Sequence, residues 1–299
     1  MSKVIVTGGA GFIGSHLVDR LVDEDYDVVV FDDESADKDQ FYWNLRADNR
    51  KISIKHIDCS ACDDVECIFH LAADTQIQPS IENPSKTFEN NIMGTQRVLE
   101  AARKNKIRKV ILSSTSAVYG NNHPPHNEKM EVECLNPYAT SKYCAEKLCK
   151  MYYELYGIQT ISLRYFNVYG DRMPTRGSYC PVVSIFQQQL QRNEPVPICG
   201  DGEQRRDFVH VSDVVNANML AMNINNNRCY GDVFNIGTEN SYTVNQVTDL
   251  MGATEKINIP ERKGEIKESF CDNTKVKTLL AWKPKHRLEK YLDPKEVQA

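Results

Sequence analysis

Long apolar runs are missing from this sequence: no stretch of its 299 residues approaches the roughly 20 consecutive apolar positions that a membrane-spanning helix needs. Met1 to Thr7 lead directly into an apolar strand, without the basic segment and cleavage site of a secretory leader. Together these absences make the expectation a cytosolic protein with no membrane partner. Excess charge of one sign is missing too. With 36 Lys and Arg against 41 Asp and Glu, the net charge of -5 is small and its signs are interspersed. That disfavours nucleic acid as a partner and leaves room for a local basic pocket around a phosphate. Low-complexity tracts are absent, and 41% hydrophobic with 26% charged residues is the composition of a chain that folds throughout.

The ten cysteines lack the arrangement of a disulfide framework, being scattered through apparent strands and helices as small reduced hydrophobes. Only Cys59, Cys62 and Cys67 cluster. A zinc site would need a fourth ligand from His56 or His70, but Cys67 and His70 fall in an apparent buried strand whose side chains alternate faces. No metal is expected.

What is present is an alternation of short apolar runs with longer helical patterns: Val4 to Val6, Ser15 to Val22, Val28 to Phe31, Ile52 to Ile57, Cys67 to Leu71, Ser85 to Asn105, Lys109 to Ser113. This is the βαβ signature of a parallel sheet. One interval is short: Cys59 to Glu66 separates two apparent strands where a parallel crossover needs about a dozen residues. Further on come an apparent strand at Thr160 to Arg164, a Pro- and Gly-punctuated stretch from Gly170 to Gly202, Arg206 to His210, a helix from Ser212, and the strand Val233 to Ile236.

Two constellations carry chemistry. Directly after the first strand, Thr7 to Gly14 contain Gly9, Gly11 and Gly14 in a G-x-G-x-x-G pattern that opens a helix. Such a loop offers backbone N–H groups and a helix N-terminus to a pyrophosphate. Asp32, 18 residues after Gly14, ends the second strand where a carboxylate can accept both ribose hydroxyls and would repel a 2′-phosphate, so NAD is expected over NADP. The second constellation is Asn136 to Lys142, read as the start of a helix reaching about Tyr156. Tyr138 and Lys142 share a face at i and i+4. A phenol with an ordinary pKa of about 10 is a poor base near neutrality, and a cation on the next turn stabilises its phenolate. Tyr143 with Lys147 and Tyr291 with Lys295 have the same spacing; Pro137 at the helix entry and the hydroxyls of Ser113, Ser114 and Thr115 at a strand end single out Tyr138.

These motifs together resemble the extended short-chain dehydrogenase/reductase family, and within it the nucleotide-sugar 4-epimerases. The resemblance covers nearly the whole chain: Thr7 to Gly14, Asp58, His70 to Ala73, Asn90-Asn91 with Gly94-Thr95, Ser113 to Gly120, Pro137 to Lys142, Leu163 to Asn167, Gly200 to His210, and Arg262 to Asp272. It implies an α/β fold: a Rossmann-type doubly wound parallel sheet over 1–166 plus about 206–242, with a smaller α/β substrate-binding domain over about 167–205 plus 243–299. It assigns the cofactor NAD to Gly8, Gly11, Phe12, Ile13, Gly14, Asp32, Asp58, Cys59, Leu71, Ala72, Ala73, Ser113, Tyr138, Lys142 and Tyr165. Thr115, Tyr138 and Lys142 resemble the catalytic group, and Thr115, Asn167, Arg206, Arg262 and Ser269 the residues that bind a UDP-sugar.

The activity implied is inversion at sugar C4 through a 4-keto sugar, with no net oxidation. Dehydratases of this family usually carry Asp-Glu after the threonine; here Ser116-Ala117 follow Thr115, which disfavours dehydration. Decarboxylation of a uronate remains open, as does an NAD-binding protein without catalysis. Ser269, a small residue at the position that gates the C2 substituent, points to UDP-GlcNAc and UDP-GalNAc, with UDP-glucose and UDP-galactose as further substrates. The resemblance also implies a homodimer through Ser85 to Asn105 and Thr140 to Tyr156.

Overall fold

The computed structural model describes residues 2–36, 41–57, 64–175, 180–261 and 266–293. Its first half runs β1 (Lys3–Thr7), α1 (Phe12–Asp23), β2 (Asp27–Asp32), β3 (Asp48–Lys51), β4 (Val65–His70), α2 (Ile77–Glu82), α3 (Pro84–Phe88), α4 (Gly94–Lys104), β5 (Lys109–Thr115), α5 (Pro137–Tyr156) and β6 (Gln159–Tyr165). The remainder is β7 (Asn167–Tyr169), α6 (Val182–Gln191), β8 (Val196–Cys199), β9 (Arg205–His210), α7 (Val211–Asn223), β10 (Asp232–Ile236), β11 (Ser241–Thr243), α8 (Val244–Leu250), β12 (Lys256–Ile259), β13 (Glu268–Ser269), α9 (Thr274–Leu280) and α10 (Leu288–Leu292).

Seven parallel strands form the main sheet in the order β10-β6-β5-β4-β1-β2-β3. Because side chains alternate along a strand, Val4 and Val6 of β1 pack with α1, α7 and α9, whereas Ile5 packs with α4 and α5 on the other face. The sheet is thus wound on both sides, and the Rossmann-type expectation holds. β9 pairs with β7, β11 and β13 in a second, four-stranded sheet, and β12 pairs with β8. β7 begins two residues after β6 ends, so the second sheet grows from the edge of the first at which its strands terminate.

Three expectations are corrected. Ile52 to Ile57 is not a strand: Ile54–His56 form a 3-10 turn with Ile54 buried, and the strand lies earlier, at Asp48–Lys51, which is polar and mostly exposed at the sheet edge. An edge strand with little to bury has no apolar signature to find. The crossover from β3 to β4 therefore spans residues 52–64, long enough for a parallel connection, and the apparent compression disappears. β9, assigned above to the first unit, is hydrogen-bonded into the second sheet, while α9 and Trp282, assigned to the second, pack into the first core.

Ion-pair contacts join the units. Arg172, after β7, pairs with Asp19 of α1 at 2.7 Å and lies over the Tyr42 ring, and His16 Nε2 bonds the Asp171 carbonyl at 2.8 Å. No described helix is long and apolar enough to cross a membrane.

Candidate active site

The glycine loop is shaped by close contacts that leave no room for a side chain at Gly8 and Gly14. Gly8 has φ +69°, and a Cβ there would lie 2.7 Å from the Ala72 nitrogen; one on Gly14 would lie 2.1 Å from the Gly8 carbonyl oxygen. Gly11 caps α1 in extended conformation, and the nearest atom to a Cβ there is 3.4 Å away. The loop therefore turns back on β1 and opens α1 at Phe12, so the first N–H groups of the helix, those of Phe12, Ile13 and Gly14, have no intrahelical partners, as a pyrophosphate site requires.

Asp32 accepts hydrogen bonds from Ala10 N at 3.0 Å and Glu34 N at 2.9 Å, one per oxygen. Each oxygen keeps a lone pair for a ribose hydroxyl. Burial raises the Asp32 pKa, and the two N–H groups oppose that rise. Leu71 and Ala72 hang from Thr7: Leu71 N donates to its carbonyl at 3.1 Å, and Ala72 N to its hydroxyl at 3.3 Å. Ala73 follows, half-buried. Beneath them His70 bonds Thr7 Oγ1 at 2.8 Å and Thr95 Oγ1 at 3.0 Å. Burial, reinforced by the Lys142 ammonium, holds the His70 imidazole neutral with a pKa of about 3. These residues have the features an NAD site needs: backbone access, oriented N–H groups and a ribose carboxylate.

β5 extends past β4 and carries Ser113, Ser114 and Thr115 at its end. Ser113 Oγ and Tyr165 Oη share a 3.0 Å hydrogen bond, and Asn218 also bonds the phenol, which burial pushes up to about 12. Thr115 Oγ1 accepts from Ala117 N at 3.1 Å, so its hydrogen remains free to be donated. Asn136 caps α5 through a 2.9 Å bond from Ala139 N, and Pro137 sets the first turn. Tyr138 N donates to Ser80 Oγ at 3.2 Å, pinning the turn that bears the phenol. Lys142, one turn on, is buried, and burial brings its ammonium down to about 8 against the raising influence of Cys149 and Glu146. Asn91, within a π-helical turn between α3 and α4, donates to Ser141 Oγ at 2.9 Å and to the Asp74 carbonyl at 2.8 Å, tying α5 to its neighbour.

On the second sheet, Asn167 Nδ2 donates to the Asp207 carbonyl at 2.9 Å. Arg206 donates to the carbonyls of Arg205 and Lys267. Ser269 is the backbone partner of Arg206 across β13 and β9, and is buried. Asp32 of β2, Leu71 to Ala73 directly after β4, Ser113 and Thr115 of β5, Tyr165 of β6 and the glycine loop after β1 thus meet at the edge where parallel strands end, the position at which such sheets bind ligands. Asp58, Cys59 and Arg262 lie outside the described residues, as does Cys62; among the described residues no cluster could hold a metal ion. Tyr143 and Lys147, the competing pair, meet as a cation over a ring at 4.8 Å.

Residues 4–237 match the model of the NAD dependent epimerase/dehydratase family. The chain belongs to that family. It is 34% identical to the UDP-glucose 4-epimerase of Mycolicibacterium smegmatis, over 94% of this chain and 93% of that one. The structure of UDP-glucose 4-epimerase with UDP-glucose from Thermotoga maritima matches with TM-score 0.90 and 38% identity, covering 97% of this chain and 96% of the other. The UDP-N-acetylglucosamine 4-epimerase of Methanobrevibacter ruminantium, in complex with UDP-N-acetylmuramic acid, matches with TM-score 0.90, 34% identity and the same coverage. This family member is an NAD-dependent enzyme of nucleotide-sugar chemistry.

Sequence reasoning assigned no role to Ser80, Asn91, Thr95, Glu146 or Arg164, which support the site. Glu146 had a legible signal, the i+4 spacing from Lys142, and Arg164 is the lone charge in an otherwise uncharged strand.

Proposed function

We propose that the protein inverts C4 of a UDP-sugar, with UDP-GlcNAc and UDP-GalNAc preferred and UDP-glucose and UDP-galactose also accepted. The observation that carries this reading is the buried face of α5, which sets Tyr138 and Lys142 on successive turns beside the end of β5 that carries Thr115. When bound, NAD supplies the acceptor and then the donor of one hydride at the sugar carbon. Tyr138 Oη takes the proton from the C4 hydroxyl and later returns it. Lys142 stabilises the phenolate and would hold the ribose of the bound cofactor through its ammonium, and Thr115 donates to the sugar oxygen to orient it. Arg206, Arg262 and Asn167 anchor the diphosphate, so that the keto sugar turns over without leaving. Thr115 leads into the 3-10 turn Ser116–Tyr119, whose sequence supplies no acid–base pair for removing water.

Ser269 supports the N-acetyl preference: it is small and buried beside Arg206, and a larger side chain at this position would take up more of the wall. The reading includes a homodimer through α3, α4 and α5, where Met93, Met151, Leu155 and Tyr156 remain exposed; a single-chain mass in solution would remove that part.

The test is incubation of the purified protein with UDP-GlcNAc, UDP-glucose and UDP-glucuronate separately, followed by NMR with and without added NAD. C4-inverted UDP-GlcNAc is the expected product. A UDP-pentose would establish decarboxylation instead, and no conversion of any donor would remove the reading. Ser269→Tyr is expected to lower N-acetyl turnover about tenfold or more while sparing UDP-glucose.

A further inference from the structure

Beneath the catalytic face lies a charge pair that the proposed reaction does not use. Arg164 of β6 and Glu146 of α5 form a two-pronged salt bridge, Nε to Oε1 at 2.9 Å and Nη2 to Oε2 at 2.7 Å, with both side chains 3% exposed. Ser114, the neighbour of Thr115, donates its hydroxyl to Glu146 Oε1 at 2.5 Å. The guanidinium stacks 4.8 Å over the ring of Tyr119, whose hydroxyl is anchored on Asn235 of β10 at 2.7 Å. Burial pulls the Arg164 pKa down, but the Glu146 hydrogen bonds and charge outweigh it, so the cation is retained. Removing two charges from water is costly, and apolar residues would fill such a space as well or better. The pair is therefore a poor device for stability alone.

Its position is what suggests a use. Tyr138, Lys142 and Glu146 follow one another at i, i+4 and i+8 on one stripe of α5. The Glu146 carboxylate joins this stripe to the strand residue next to Thr115. The ionisable groups around Lys142 among the described residues are Tyr138 on the preceding turn, Glu146 and Cys149 on its own helix, and His70 from β4, with Arg164 from β6 behind Glu146. His70 is neutral and burial pushes the Cys149 thiol up to about 12, so Glu146 is the one anion facing the ammonium in the neutral range.

We propose that Glu146, clamped by Arg164 and Ser114, is a positioning residue of the epimerase reaction: it holds the Tyr138–Lys142 stripe in register with Thr115 and is the counter-charge that keeps Lys142 an ammonium. This rests on the catalytic reading of Tyr138 and Lys142 given above.

The experiment compares pH profiles of kcat for the wild-type enzyme, Glu146→Gln, Glu146→Asp, and the double variant Glu146→Gln with Arg164→Met, with Tyr138→Phe as control. Glu146→Gln is expected to lower kcat about tenfold with KM within about twofold, through loss of register. It also moves the alkaline limb of the profile down by about half a unit to one unit, because the anion that favours the charged lysine is gone. Glu146→Asp keeps the charge and restores the limb while kcat stays low. The double variant leaves no unpaired buried charge, so it carries the test if Glu146→Gln alone fails to fold, and it shows the same downward limb. A limb at the wild-type position in the variants that lack the anion, with only the melting temperature changed, overturns the inference. If Tyr138→Phe retains turnover, the catalytic reading falls and the inference with it; if Tyr138→Phe abolishes turnover while the limb of the Glu146 variants stays at the wild-type position, the inference alone falls.

Discussion

Lys142 shows how burial and chemistry conflict at a single residue. Its ammonium is fully desolvated and brought to about 8, below the ordinary lysine value of about 10.4. Below pH 8 the lysine is charged in both folded and unfolded chains, and the folded state carries the full cost of burying it. As pH rises from 8 towards 10.4, the folded chain releases the proton while the unfolded chain keeps it, so the cost shrinks and stability increases. Lys142→Met lacks this cost at every pH. Without cofactor, its gain in melting temperature over wild type is expected to be largest below pH 8 and to fade above it; a gain that is flat across this window would mean that the lysine is not buried as a cation. The spacing of Tyr138 and Lys142 was legible in the chain, whereas the desolvation that makes Lys142 titrate near neutrality comes from α5 lying against the sheet.

At the scale of elements, α5 was readable from end to end: Asn136 caps it, Pro137 starts it, and Gly157 at φ +72° ends it. Asn136→Ala is expected to cost about 1 kcal/mol of stability in denaturant titration, and to lower kcat by loosening the turn that holds Tyr138. The stretch Ser85 to Asn105 was read as one helix, but it is broken by a π-helical turn over Glu89–Met93, which brings Asn91 to Ser141. A π-helical turn slips the apolar pattern by one residue while each half keeps its helical period, so the two halves read as one helix until the packed partner is seen. Ile52 to Ile57 misled in the opposite way. Ile54 is apolar because it packs against Gly94 at the start of α4, and its burial carries no strand period.

At the scale of the molecule, the chain crosses between its two units more often than its order suggests. Trp282 comes 13 residues after Ser269 of the second sheet, yet it is fully buried in the first core, with Nε1 donating to the Asp213 carbonyl at 2.9 Å. Asp213 in turn accepts from Lys285 N and His286 N, fastening the returning segment to α7. Trp282→Ala is expected to destabilise the fold by about 3–5 kcal/mol, and circular dichroism and the fluorescence of the remaining Trp43 should lose signal in one transition, because the removed ring belongs to the core beneath the glycine loop. The sequence by itself determined the parallel sheet, the glycine loop with Asp32, and the Tyr138–Lys142 helix, since each is encoded by local period, turn chemistry or caps within about 20 residues. The tertiary structure alone decided that β9 leaves the main sheet while α9 and Trp282 return to it, that Ser269 is buried against Arg206, and that Glu146 meets Arg164 and Ser114. Those contacts join residues far apart in the chain, and their energy depends on which faces the folded sheet brings together and removes from water.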